Sequence, residues 1–364
     1  MAVNGIHCFI LVLSTIAFSG NLFAQTETTA STGRNIKNSG LFDTDELLHL
    51  KLSGRLNELY TDRKDNMTYH PLLLQYWSAD SVLHSIRIRA KARGNFRRLK
   101  ENCKLPPLLL NFPKTEKLGN TIFKKQNKLK LVMPCGGDEY VVREWLVYKL
   151  YNLFTEKSFR ARLTQVEFQD SAQQRKLETY YCILLEDEND MASRNHATLM
   201  NARQLPMERA ARDEFTMMAV FQYMIANTDW SVPYMQNIKL LTTDSGKAPI
   251  AVPYDFDHAG LVSAPYAGPA PELEISSIRE RIYRGYCNPG MMDYVVAFKL
   301  FNEKRKEVYE TFTNCSYLNS KYLKFATRFL DDFYKTIDNP KSIEEVFNKP
   351  CRTNVRVELK GLKD

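Results

Sequence analysis

Hydrophobic and polar positions alternate most clearly over 82–93. There Ile86, Ile88, Ala90 and Ala92 fall on one side and Arg87, Arg89, Lys91 and Arg93 on the other. Side chains two apart on a strand share a face, so this segment predicts a half-buried strand with a basic outer stripe. That stripe is either a solvated sheet face or an anion site, and it runs into Gly94-Asn95-Phe96-Arg97-Arg98. Apolar runs at 47–52, 69–77, 105–112, 128–133, 162–168 and 177–185 predict further strands. The period changes at 140–154, where Val142, Leu146, Leu150 and Leu153 recur at helical spacing opposite Arg143, Glu144, Lys149 and Asn152. A polar stretch opens at Glu186-Asp187-Glu188-Asn189-Asp190 and marks a boundary near 187–206. Beyond it the pattern predicts a long helix over 208–226, apolar nearly all round from 215 and therefore buried. Short strands near 237–241 and 250–253 follow, then helices at about 291–304 and 318–336. The class is α+β: a strand-rich half at 41–186 and a mainly helical half at 187–364.

The first residues change where this protein is expected to work. An apolar core at 8–18 is shorter than the roughly 20 residues of a membrane-spanning helix. Small residues lead to Ala24, so 1–24 reads as a signal peptide, and 25–40, rich in Thr, Ser, Asn and Gly, as a flexible leader. The chain is therefore expected to be exported, periplasmic or secreted, with no transmembrane segment. The net charge of +8 survives cleavage, because 1–24 holds no Lys, Arg, Asp or Glu. It suits an anionic partner such as a phosphate, an acidic glycan or lipopolysaccharide, or it serves solubility alone; nucleic acid is not expected. Of seven Cys, Cys8 leaves with the signal peptide. The remaining six permit up to three disulfides in an oxidising compartment, and spacing does not choose among the pairings. They are too dispersed for a zinc site.

Two segments carry candidate chemistry. Asn227-Thr228-Asp229-Trp230-Ser231 closes the buried helix, with Asn237 eight residues after Asp229. Val252-Pro253-Tyr254-Asp255-Phe256-Asp257-His258-Ala259-Gly260 follows. In an extended chain Asp255 and Asp257 point the same way, and neighbouring carboxylates must share a proton or bind a cation. Such oxygen-rich sites suit Mg²⁺ or Mn²⁺ with phosphate oxygens as further ligands. The plain alternative is that the two cap turns or form salt bridges. Gly260 is expected to let the chain turn sharply. Trp230 is expected to pack under the loop, and His258 to be a hydrogen-bonded turn residue or a third metal ligand. Arg281 and Arg284 read as helix-surface charges. An Asp at a helix end, an Asn on the next strand and an Asp-x-Asp after it follow the order of a phosphoryl-transfer site.

These parts resemble the kinase-like fold of the spore-coat protein H (CotH) family, an exported, atypical kinase-like group, over roughly 80–265. Arg93-Gly94-Asn95 resembles its early Arg/Gly-rich turn, Lys128-Leu129-Lys130-Leu131 and the helix after it the lysine strand and its partner helix, and 180–186 the strand ending in Glu before the hinge. The phrases NTDWS and VPYDFD are similar to those of a group of uncharacterised exported bacterial proteins. The resemblance implies a two-lobed protein-kinase-like fold with Asp229 as catalytic base. It implies Asn237 and Asp255 as ligands of Mg²⁺ or Mn²⁺, with Asp257 assisting. Lys130 or Lys104 would contact the phosphates of ATP, with Glu144 as partner and Arg93 nearby. The implied activity is phosphotransfer or nucleotidyl transfer to a protein or glycan acceptor. A non-catalytic envelope scaffold and a metal-dependent phosphoesterase using Asp255, Asp257 and His258 are the alternatives. The gap of eight between Asp229 and Asn237 is longer than in a kinase catalytic loop, and Gly94 stands alone where a glycine-rich loop would be.

Overall fold

The structure, a computed structural model, describes residues 40–172, 175–244, 246–285 and 293–348. The expected signal peptide, Cys8, Cys287, Cys351 and all but the end of the leader lie outside the described residues. The predicted strands form as β1 (Leu48–Gly54), β2 (His70–Trp77), β3 (Leu83–Ala92), β4 (Leu108–Asn111), β5 (Lys128–Val132), β6 (Ala161–Asp170) and β7 (Arg175–Leu185). They close into a barrel in the order β1-β2-β3-β4-β5-β7-β6. Closure comes from β1, which pairs antiparallel with β2 and parallel with β6. Closing the sheet on itself removes unpaired edges. The alternation in β3 is realised: Ile86, Ile88, Ala90 and Ala92 are buried, while Arg87 and Arg89 are exposed. On the outer face Arg89 and Lys91 lie over the Tyr69 ring at 5.5 and 5.2 Å. Leu52, Leu74, Ile88, Leu110, Leu129 and Leu184 fill the interior, joined by Leu56 and Leu59 from a short helix α1 (Leu56–Thr61) that the apolar period did not predict.

Helix α2 (Asp138–Asn152) leaves the barrel after β5 and starts two residues before the predicted point. Asp138 and Glu139 suit the positive end of a helix dipole, and Asp138 also accepts the Tyr181 N–H, tying the helix to β7. Gly136 precedes it at φ +82°, where an added Cβ would lie 2.5 Å from Pro265 Cγ.

The polar stretch at 187–194 is ordered. Asp187 caps helix α3 (Glu188–Arg194) by accepting the Asn189 N–H, so the acidic run stands at a helix N-terminus. Strand β8 (Thr198–Met200) follows and pairs with β9 (Ile238–Thr242), which pairs with β10 (Ile250–Pro253). Helix α4 (Arg212–Met224) begins later than 208, because the Ala211 N–H is committed to the Pro249 carbonyl at 2.7 Å. Its residues from Phe215 to the end are all buried, as the apolar run requires. Helices α5 (Asp293–Glu303), α6 (Arg305–Thr313) and α7 (Ser320–Ile337) follow, and a short helix α8 (Pro340–Ile343) with a π-helical turn at Glu344–Asn348 ends the described chain. The segment holding Arg281 and Arg284 is not helical, which corrects the surface-helix reading. Both guanidiniums turn inward, Arg281 to the Met224 and Phe329 carbonyls and Arg284 to those of Thr228 and Trp230. Among the described residues no helix is long and apolar enough to cross a membrane.

Among the described residues one disulfide joins Cys103 to Cys135, with Cys182 and Cys315 as free thiols. It pins the loop between β3 and β4 to the turn that starts α2. It closes a loop of sequence separation 32. A C103S/C135S variant is therefore expected to lose about 3–4 kcal/mol, seen as a lower denaturation midpoint. No loss would show that the loop is held without it.

Candidate functional site

The β3–β4 loop, the end of α4, the start of β9 and the chain after β10 border a cleft of about 640 Å³. Arg93, Arg97, Asp229, Asn237, Asp255 and Asp257 all face it, with Lys239 and His258.

Its floor is an ion cluster around Arg97, a residue the sequence placed only within a basic run. Arg97 is buried at 9% side-chain exposure. Its Nη2 lies 3.2 Å from Asp255 Oδ1, its Nε 3.3 Å from Asp257 Oδ2 and its Nη1 3.8 Å from Glu144 Oε2. Neighbouring Arg98 instead caps the Arg63 and Lys64 carbonyls, so sequence position did not separate the two. Burial opposes the Arg97 charge, but Asp257, Tyr266, Glu144 and Asp255 outweigh it and hold the guanidinium more firmly protonated. Burial also raises Asp257, yet Arg97, His258 and the Tyr266 hydroxyl, at 3.0 Å, overcome it and hold that carboxyl below its ordinary range. Asp255 moves the other way, raised by burial and by Asp257. Glu144 is raised well above its ordinary value by burial against the pull of Arg97, and its Oε1 is buried without a hydrogen-bond partner.

Helix α2 reaches this floor twice on one face, four residues apart. Glu144 approaches Arg97, and the Tyr148 hydroxyl accepts the Asp255 N–H at 2.9 Å. That bond holds Asp255 at φ +60°, a left-handed backbone uncommon for a residue with a side chain. This overturns the extended reading of 255–257. The chain leaves strand geometry at Asp255, and the two carboxylates meet because both bind Arg97. A third of the Asp255 side chain stays open, while Asp257 is nearly closed off. Gly260 serves close approach rather than a sharp turn: its N–H bonds the Ala226 carbonyl, and a Cβ there would lie 2.5 Å from the Ile278 carbonyl oxygen.

Asp229 sits across the cleft. Asn227 Oδ1 accepts its N–H, Trp230 packs beneath at 2% exposure, and the Trp230 Nε1–H donates to the Asn227 carbonyl. Asn237 Nδ2 donates to both the carbonyl and Oδ2 of Asp229, at 2.8 and 2.9 Å, and Gln236 Nε2 donates to Oδ1 at 3.3 Å. The eight-residue gap closes because Ser231 and Gln236 exchange backbone hydrogen bonds at 2.9 Å and fold the extra residues into a turn. Asn237 is also left-handed, at φ +49°. Burial raises the Asp229 carboxyl, His258 opposes this, and Asp257 and Asp255 add to it.

Of the expected lysines, Lys130 lies 4.9 Å from the Tyr254 ring centroid and 3.7 Å from Glu188, which Lys239 approaches to 2.8 Å. Burial, with Arg93 and Lys239 beside it, pulls the Lys130 ammonium down to about 8. The cation beside Glu144 is thus Arg97, where a lysine had been expected. Lys104 is exposed outside the cleft, its carbonyl accepting from Arg63. The His258 ring packs edge-on against Phe96 and Tyr266.

No protein-family model matches the sequence, so membership of the spore-coat protein H family is not shown, and no curated protein matches it. Among solved structures, the chain is similar to the Helicobacter pylori proinflammatory kinase CtkA at 12% identity and a TM-score of 0.40, over 70% of this chain and 95% of that one. It is also similar to the Golgi casein kinase at 8% identity and a TM-score of 0.32, over 84% of this chain and 77% of that one. Both likenesses are too loose to fix an activity.

Arg97→Ala leaves three acids around an uncompensated site and is expected to cost about 3–5 kcal/mol in urea unfolding. A loss below about 1 kcal/mol would mean that solvent replaces the guanidinium. Because the Asp229 carboxyl is raised in the folded state, its penalty grows as pH rises through that raised value and vanishes below the unfolded value. Asp229→Asn should therefore raise the melting temperature at pH 7 and leave it unchanged below about pH 4. A pH-independent change would refute this assignment.

Proposed function

We propose that this chain is an exported, kinase-like phosphotransferase, two-lobed in plan, that binds Mg-ATP in the cleft and acts on a hydroxyl of a protein or glycan acceptor. The observation that carries the reading is the meeting of Asp229, Asn237 and Asp255 across one cleft, with Asn237 and Asp255 both in left-handed backbone. Strain of this kind persists where the surroundings over-determine it, and it concentrates at functional sites. The cleft volume falls in the range of small-molecule sites.

In this reading the Asp229 carboxylate accepts the acceptor's hydroxyl proton as the new oxygen–phosphorus bond forms and ADP departs. Asn237 and Gln236 orient that carboxylate, and its raised proton affinity makes it a better base near neutrality. Arg93 and Lys239, both facing the cleft, would neutralise phosphate charge, with Lys130 behind Tyr254. The donor set suits Mg²⁺ shared with a nucleotide rather than a dedicated cage, since Mg²⁺ is usually bound through one or two carboxylates plus phosphates. Asp255 has an open carboxylate, and Asn237, donating through Nδ2, keeps its carbonyl oxygen as an acceptor. These two would hold the ion, which would offset charge on the transferring phosphoryl group. Export is supported by the Cys103–Cys135 disulfide, a bond that persists in oxidising compartments.

One observation favours a non-catalytic binding protein as the second reading: Lys130 is engaged by Glu188 rather than by Glu144. The phosphoesterase reading built on Asp255, Asp257 and His258 is weakened because Arg97 and Tyr266 engage Asp257 and the His258 ring packs against Phe96 and Tyr266.

Calorimetric titration of residues 25–364 with ATP, with and without Mg²⁺, separates these. The expected result is metal-dependent binding, weakened on the order of 10²–10³-fold by Asp255→Ala. Asp229→Asn should keep binding and lose 10²–10⁴-fold in transfer, an order-of-magnitude expectation for a general base. Absence of nucleotide binding with either ion setting would move the assignment to the binding protein.

A further inference from the structure

We infer that Arg97 is a resident cation of the cleft: its guanidinium takes the place at Asp255 and Asp257 that a second divalent ion would need, so the site takes one divalent ion. The inference deepens the phosphotransfer reading and rests on it.

Phosphoryl-transfer sites with two ions hold both through a small set of shared oxygens. Here the acids that would supply those oxygens are already engaged. Asp257 Oδ2 receives both Arg97 Nε and the Tyr266 hydroxyl, and the side chain is nearly closed to the cleft. Asp255 Oδ1 faces Arg97 Nη2, and only the remainder of that carboxylate is open. A guanidinium does not give up its proton in a protein, so this cation is permanent. Its delivery is also fixed. The loop bearing Arg97 is held by the Asn102 side-chain bond to the Phe96 carbonyl, and one residue further on Cys103 is linked to Cys135. A second ion brought to the same two acids would meet a like charge at close range, where such encounters are repulsive. The position left for an ion is the open part of the Asp255 carboxylate, which lines the cleft together with Asn237.

The test is a Mn²⁺ titration of the mature chain followed by electron paramagnetic resonance, with and without ATP. The wild type is expected to bind one Mn²⁺ per chain in the presence of ATP, and R97K, which keeps the charge, also one. R97A, checked for folding by circular dichroism, should rise to two. Two ions in the wild type, none at all, or one in a folded R97A would each overturn the inference. Should R97A fail to fold, the wild-type and R97K stoichiometries decide it. Retention of a fluorescent ATP analogue in the same samples reports on the phosphotransfer reading separately, since one bound ion without retained nucleotide removes that reading alone.

Discussion

The architecture of this site depends on one buried guanidinium. Arg97 draws together acids from two elements distant in sequence, Glu144 on α2 and Asp255 and Asp257 after β10, and itself arrives on a third, the β3–β4 loop. Three acids at this depth would repel one another and lose hydration without a partner. With Arg97 among them, the cluster sorts: Asp257 is held ionised, while Glu144 is pushed toward its neutral form. Asp255, raised and partly open, is left as the most accessible of the three. Environment thus pushes chemically similar side chains in opposite directions, Asp257 down and Glu144 and Asp255 up.

Backbone strain tells the same story from the other side of the cleft. Left-handed residues with side chains cost on the order of 1–3 kcal/mol each, and two of them, Asn237 and Asp255, flank the opening. Each is over-determined. The Asp255 N–H is received by Tyr148, and Asn237 makes two bonds to Asp229 while its carbonyl accepts the Tyr254 N–H. Both residues stand at the same end of the antiparallel β9–β10 pair, and both line the one cleft.

Much of this was legible in the residue pattern. The period of two in β3 and of 3.6 in α2 follow from burial of one face, which sequence records directly. The all-apolar end of α4 recorded a helix buried on every side. Asp229, Asn237, Asp255 and Asp257 stood out because polar residues after buried apolar runs need a reason to be there. What sequence did not hold was pairing across long separations. Arg97 and Arg98 are equivalent as letters, and only the path of the loop sends one inward to acids and the other to the Arg63 and Lys64 carbonyls. Helix α3 was hidden because its capping acids look like a linker. The left-handed turn at Asp255 was invisible because nothing in Pro253-Tyr254-Asp255 excludes a continuing strand; the Tyr148 hydroxyl, more than a hundred residues away, decides it.

The displaced lysine follows from the same geometry. Lys130 is on β5, the strand expected to carry a phosphate-binding cation, yet its partner is Glu188 at the start of α3, shared with Lys239. One carboxylate between two ammoniums leaves net positive charge on that wall, and Arg93 adds to it at the cleft edge. The opposite floor gathers three carboxyl groups, of Glu144, Asp255 and Asp257, around the single Arg97 guanidinium. A ligand satisfying both sides must itself be divided in charge, presenting anionic oxygens to the lysine wall and a cation to Asp255. A phosphate chain carrying one divalent ion meets that requirement, whereas a bare anion or a bare cation satisfies only half of the cleft.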